Sequence, residues 1–151
     1  MRVLRIKGVI NAVPGFKAAA VCAKISQFGR RAKKDVGIIF NEDGPATASC
    51  TVTTSKMPGA HIPVLKENMA DGTIAATVFI TGNANVGTGE RGIRDSRKVT
   101  EIAGKELGVP ASEIAVAATG AMCRFLPMKK VEVGIKAAAR QLSESREAGM
   151  A

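Results

Sequence analysis

Residues Thr81-Gly82-Asn83-Ala84-Asn85-Val86-Gly87-Thr88-Gly89-Glu90-Arg91-Gly92 place glycine and asparagine densely between a β-branched run, Thr73 to Thr81, and a helical pattern. Such a stretch commits the chain to a strand that reverses sharply into a helix, because Gly and Asn tolerate positive φ at little cost. Further along, Ala117-Ala118-Thr119-Gly120-Ala121 forms a second strand end of small residues. Two such ends, with exposed amides, are how an α/β chain builds a place for an anion or a developing oxyanion.

The segment Gly87-Thr88-Gly89-Glu90-Arg91-Gly92 fits the G-x-G-x-x-G pattern and sits between a strand and a helix, as a dinucleotide fingerprint requires. The fit stops there. The next strand ends in Ala118-Thr119-Gly120 rather than in an acidic residue for a ribose hydroxyl, and Thr88 stands where a phosphate-binding loop needs lysine. The turn chemistry of glycine and asparagine accounts for the spacing without a ligand.

The remaining pattern is read as strands over Val3 to Val9, Lys17 to Ile25, Val36 to Phe40, Ala46 to Thr54 and Ile114 to Thr119. Ile62 to Met69 is a short helix or an irregular crossover. Ile93, Val99, Ile102, Ala103 and Leu107 recur at helical spacing, stopped by Gly108-Val109-Pro110. Ser112 caps a short turn beside Glu113, and Leu126-Pro127-Met128 opens a last helix from Lys129 to Glu147. Strands followed by β-turn-α-β-turn-α predict one domain over residues 1–151, mixed α/β (α+β), with helices covering a sheet.

A chain of 151 residues with 46% apolar content can bury one core. Its longest apolar runs, Ile74 to Ile80 and Ile114 to Ala118, fall far short of the roughly 18 to 20 residues a bilayer span needs. No membrane partner is expected, and the N-terminus lacks a signal peptide's apolar stretch, which points to the cytoplasm. The net charge of +9 is dispersed, apart from Arg30-Arg31-Ala32-Lys33-Lys34, read as a solvated hairpin turn. With Trp and Tyr absent, no nucleic-acid partner is expected. Cys22, Cys50 and Cys123 are read as buried thiols, and with one histidine, His61, no metal is expected. His61, next to Pro63 and without an evident carboxylate partner, is read as a structural or exposed residue.

Thr119 and Gly120 are the candidates for chemistry. A Thr hydroxyl and a backbone amide on a rigid strand end can donate two hydrogen bonds to one tetrahedral oxygen. No nucleophile with a base beside it is visible in the chain.

Val9 to Ala20 with Pro14-Gly15-Phe16-Lys17-Ala18-Ala19, Val52-Thr53-Thr54 with Ala60 and Pro63-Val64, Gly82-Asn83-Ala84-Asn85 with Thr88-Gly89 and Gly92, Ala118-Thr119-Gly120, and Leu126-Pro127-Met128 follow one another in a telling order. This order resembles the N-terminal half of the ornithine acetyltransferase family, also called glutamate N-acetyltransferases, bifunctional proteins of arginine biosynthesis. The resemblance covers residues 8 to 142. It implies a layered αββα sandwich, as in the ornithine acetyltransferase/DmpA-like fold, of which this chain forms roughly one half. It also implies a precursor that cuts itself between alanine and threonine, with Ala151 on the acyl side of the cut bond. The nucleophile is then not in this chain but is the first threonine of a β chain, with its own α-amine as base.

That threonine carries an acetyl group from N-acetylornithine to glutamate in an α2β2 heterotetramer, without a cofactor, and Thr119 and Gly120 match the oxyanion hole. The family's Thr-Thr-Asp segment and later Lys-Gly strand have no counterpart before Ala151. Cys123 stands where glycine is usual, so the loop after the oxyanion hole is expected to be reshaped. Two other readings are a stand-alone nucleotide- or anion-binding module and a family member with another acyl substrate or amidase activity.

Overall fold

The computed structural model describes residues 8–25 and 33–150. In chain order, a 3-10 turn at Ile10–Ala12 leads into strands β1 (Phe16–Val21), β2 (Val36–Asn41) and β3 (Ala46–Thr47), then helix α1 (His61–Asn68) and strands β4 (Thr73–Ile74) and β5 (Ala76–Asn83). Helix α2 (Gly89–Leu107), a 3-10 turn at Ala111–Glu113, strand β6 (Ile114–Ala121) and helices α3 (Met128–Arg140) and α4 (Arg146–Met150) complete the chain.

The main sheet has the order β1-β2-β5-β6. Its first two pairings are antiparallel, whereas β5 and β6 run parallel. Parallel neighbours require a crossover, and α2 supplies it. Register lines up Ala19, Ile38, Val78 and Val116 in one row across the four strands. All four are buried, and they share one core with Val99, Ile102 and Ala103 of α2 and Val131, Ile135 and Ala138 of α3. Burying each Val or Ile side chain among them contributes about 1.5–3 kcal/mol. The opposite face of β5 carries Phe79, which is exposed. The sheet is therefore covered by its long helices on one side.

Several expectations change in the structure. The strand expected over Lys17 to Ile25 stops at Val21, because the Asp35 carboxylate accepts hydrogen bonds from the Ala23 and Ile25 amides at 2.5 and 2.7 Å and turns the chain out of the ladder. The strand expected over Ala46 to Thr54 pairs only at Ala46–Thr47, with β4. Beyond it, Thr53 Oγ1 and Ser55 Oγ accept from the Ser55 and Met57 amides, a local alternative to pairing with a neighbouring strand.

The last helix is two. It breaks after Arg140, where Ser143 exchanges backbone hydrogen bonds with Ala18 and so extends the edge of β1. Ile62 to Met69 is helical, beginning one residue earlier at His61. At Ala111–Glu113 no side chain caps the turn, so Ser112 does not play that part.

The three cysteines are exposed, contrary to expectation. Cys22 follows the end of β1, Cys50 lies in the unpaired run after β3, and Cys123 lies in the turn after β6, so none has a core-facing position. The strand expected over Val3 to Val9 lies outside the described residues through position 7, and Val9 is not in a strand. Arg30 and Arg31 also lie outside the described residues, while Lys33 and Lys34 are exposed.

Candidate active site

The parallel pair β5 and β6 ends with Thr81 opposite Thr119, Gly82 opposite Gly120 and Asn83 opposite Ala121. Gly120 has φ +133° and sits so close to its neighbour that a Cβ would stand 2.3 Å from the Gly82 carbonyl carbon. Only glycine fits there. Ala84 N donates to Ala121 O at 2.9 Å and Ala75 N to Glu113 O at 2.9 Å, so the odd-numbered carbonyls of β6 face β5. By strand alternation, the Gly120 N–H turns away from β5, toward the free edge of the sheet.

That edge opens on a cleft of about 480 Å³ lined by Thr119 and Gly120. Thr119 and Gly120 are both exposed. The opposite wall is the unpaired run with Thr51, Val52 and Thr53, and the first turn of α1 contributes His61. The structure thus brings together the two expected oxyanion donors and part of the Val52-Thr53-Thr54 signature. Ala151 lies outside the described residues.

The Gly82–Gly92 turn behaves differently. The Asn85 side chain is fully buried; its Nδ2 donates to Gly92 O at 3.0 Å and to Ser96 Oγ at 2.9 Å, and its Oδ1 accepts from Thr88 Oγ1 at 2.8 Å. Asn83 Nδ2 donates to the carbonyls of Arg124 and Phe125, and its Oδ1 accepts from Asn85 N at 2.8 Å. These side chains satisfy one another and tie the turn to α2 and to the loop after β6. Nothing in that pattern calls for a nucleotide.

The loop after β6 is held from both sides. Cys123 N donates to Val86 O at 2.8 Å, and the Arg91 guanidinium lies 3.9 Å from the centre of the Phe125 ring. Cys123 has φ +57°, a left-handed conformation that suits glycine better than cysteine.

His61, read from the sequence as a structural or exposed residue, is buried and lines the cleft. Burial lowers its imidazole pKa below the ordinary 6.5. Its neighbour Pro63 and the lack of an adjacent carboxylate suggested a bland role, and no spacing rule reveals that α1 opens beside the end of β6. Among the described residues, no group of His, Cys, Asp or Glu could hold a metal ion, and no helix is long and apolar enough to cross a membrane.

A family model described as the ArgJ family matches residues 17–151. The arginine biosynthesis bifunctional protein ArgJ of Symbiobacterium thermophilum is 36% identical over 138 residues, covering 91% of this chain and 34% of that protein. The glutamate N-acetyltransferase of Methanothermobacter thermautotrophicus is 35% identical over 143 residues, covering 95% of this chain and 33% of that protein. The chain therefore spans about a third of the length of these curated relatives.

Among solved structures, the arginine biosynthesis bifunctional protein of Bacillus halodurans superposes with a TM-score of 0.87 at 27% identity, covering 97% of this chain and 74% of that one. The ornithine acetyltransferase of Mycobacterium tuberculosis, complexed with ornithine, superposes with a TM-score of 0.86 at 27% identity, covering 95% and 75%. The mixed α/β fold described above is that of these enzymes. The ordered motifs, the superposition and the family match agree, and the chain belongs to the ArgJ family.

Proposed function

We propose that residues 1–151 form one domain, the α subunit of a cytoplasmic acyltransferase that moves an acetyl group from N-acetylornithine to glutamate. Its partner is a β chain that begins with threonine, released from a common precursor by a cut between alanine and threonine and assembled with it as α2β2. The threonine hydroxyl attacks the acetyl carbonyl carbon while the α-amine of the same residue takes its proton; an N-terminal amine, with an ordinary pKa of about 8, is suited to that task. Collapse of the tetrahedral intermediate breaks the C–N bond, the proton goes to the departing ornithine amine, and an acetyl-threonine ester remains. Glutamate's amine then attacks that ester, and the threonine oxygen leaves with the proton.

The observation that carries the reading is the end of β6. Thr119 and Gly120 line a cleft, exposed, on a strand whose alternation turns the Gly120 N–H to the open edge. Two donors fixed before reaction stabilise the oxyanion in each half of the cycle without reorganising. Phe79, exposed on the far face of β5, supports a partner layer there.

Mass analysis of the native assembly and an acetyl-exchange assay test this. A companion chain beginning with threonine and transfer to glutamate are expected. A monomer that transfers nothing refutes the reading, and hydrolysis of small amides without transfer to glutamate replaces it with an amidase.

A further inference from the structure

The cleft holding Thr119 and Gly120 has a second polar feature that acyl transfer as described leaves idle. His61 lines it, yet is only 8% exposed, and its Nδ1 is buried with no hydrogen-bond partner. The neighbouring backbone makes room for the ring. A Cβ on Gly59 would stand 2.4 Å from His61 Cε1 and 2.6 Å from Nδ1, so the imidazole fills space that glycine leaves open. Gly59 bridges to Val86, and Ala60 N donates to Asn85 O at 2.7 Å. The ring is thus carried on backbone tied to the same turn that packs against Gly120.

The rest of the lining explains what such a ring can recognise. Among the described residues the cleft is lined by no Lys, Arg, Asp or Glu; its other polar side chains are the hydroxyls of Thr51, Thr53, Ser55 and Thr119. Hydroxyls can donate or accept. A neutral imidazole has one bare nitrogen, which only accepts, and one N–H. Burial favours that neutral form, and no carboxylate in the cleft opposes it. A buried nitrogen without a partner carries a desolvation penalty until something supplies one. A half-turn about the Cβ–Cγ bond exchanges Nδ1 with Cδ2, so the unpartnered nitrogen can change sides without moving the backbone.

We infer that His61 is a specificity contact for the acyl donor: its bare nitrogen accepts the amide N–H of an N-acyl amino acid whose carbonyl oxygen lies between the Thr119 hydroxyl and the Gly120 amide. This rests on the acyl-transfer reading above. The uncharged wall then takes the neutral amide end of the donor, and the donor's carboxylate and side-chain ammonium lie against the β chain.

The test compares, on the assembled enzyme, an N-acetyl amino acid with its ester analogue, the 2-acetoxy acid, in which oxygen replaces the amide nitrogen. His61→Leu should raise KM for the amide about tenfold, the loss of one hydrogen bond, and move the ester's KM by less than about twofold. His61→Gln, which keeps an acceptor, should stay within about threefold of the unaltered enzyme on both. Equal losses on amide and ester, or no loss on the amide, overturn the proposal.

If His61→Leu does not assemble, the chain's single histidine gives a second readout. Labelled with nitrogen-15 in this chain alone, its ring resonance should shift on adding N-methanesulfonylornithine, which keeps the N–H but has no acyl group to transfer; an unmoved resonance overturns the proposal. Absence of acetyl transfer to glutamate by the unaltered assembly would instead bring down the acyl-transfer reading, so the two failures are distinguishable.

Discussion

The strand ends of β5 and β6 lie side by side, in register and both rich in small residues, yet they do opposite things with their polar groups. After β5, Asn83, Asn85, Thr88 and Ser96 bond to one another and to backbone within the turn and the start of α2. After the core portion of β6, Thr119 and Gly120 stay exposed at a cleft. The showier motif is satisfied within the fold, and the plainer one stays open at the cleft. Polar groups already satisfied inside a fold have nothing to offer a substrate, whereas donors held on a rigid element and left unpaired cost little to recruit in a transition state.

The contrast can be broken at four positions. The largest effect is expected at Gly120→Ala, where the added Cβ meets the Gly82 backbone at a φ that side chains rarely adopt. It should cost more than about 3 kcal/mol of stability, visible as a lowered denaturation midpoint, and a midpoint unchanged would mean that the two strand ends are not so closely apposed.

Thr119→Ala should lower turnover of the assembled enzyme by about a hundredfold or more, roughly 3 kcal/mol of transition-state stabilisation, with assembly and melting temperature intact. Asn85→Ala should do the reverse. Leaving the partners of its buried amide unsatisfied should cost about 2–3 kcal/mol of stability, while turnover per folded molecule changes little. If Asn85→Ala abolished turnover at full stability, the division between scaffold and site would be wrong. The smallest effect is expected at Cys123→Gly. Relief of the left-handed cysteine outweighs the added freedom of the unfolded chain, so thermal unfolding should register a gain of about 0.5 kcal/mol.

Much of the fold was legible because local signals and tertiary pairing agree. The helical spacing through Leu107 and the stop at Gly108 appear in the structure, with α2 ending at Gly108 at φ 74°. The β-branched run at Thr73 to Thr81, read as one strand, is instead divided at Ala75 between β4 of the small sheet and β5 of the main sheet. The run from Ala46 to Thr54 misled because Thr, Ser and Val favour strands only where a neighbour completes the ladder, and Ser and Thr hydroxyls compete for the same amides. The last helix misled in a similar way: nothing between Arg140 and Glu147 forbids a helix, but Ser143 finds a partner in Ala18 across the molecule. Exposure of the cysteines was equally invisible, since burial depends on which face a residue joins.

The candidate site was legible only in part. Thr119 and Gly120 could be named from the chemistry of a strand end and from the order of the motifs. The cleft could not, because it forms where the unpaired run, the first turn of α1 and the free edge of β6 come together from segments separated in sequence. What the amino-acid sequence determined by itself was the set of turns and amphipathic faces, for these follow from backbone preference and periodicity within a few residues. Which donors are consumed by the scaffold and which stay free, and that a lone histidine stands in the cleft with them, was decided by tertiary structure, because hydrogen-bond partners and burial are properties of neighbours in space.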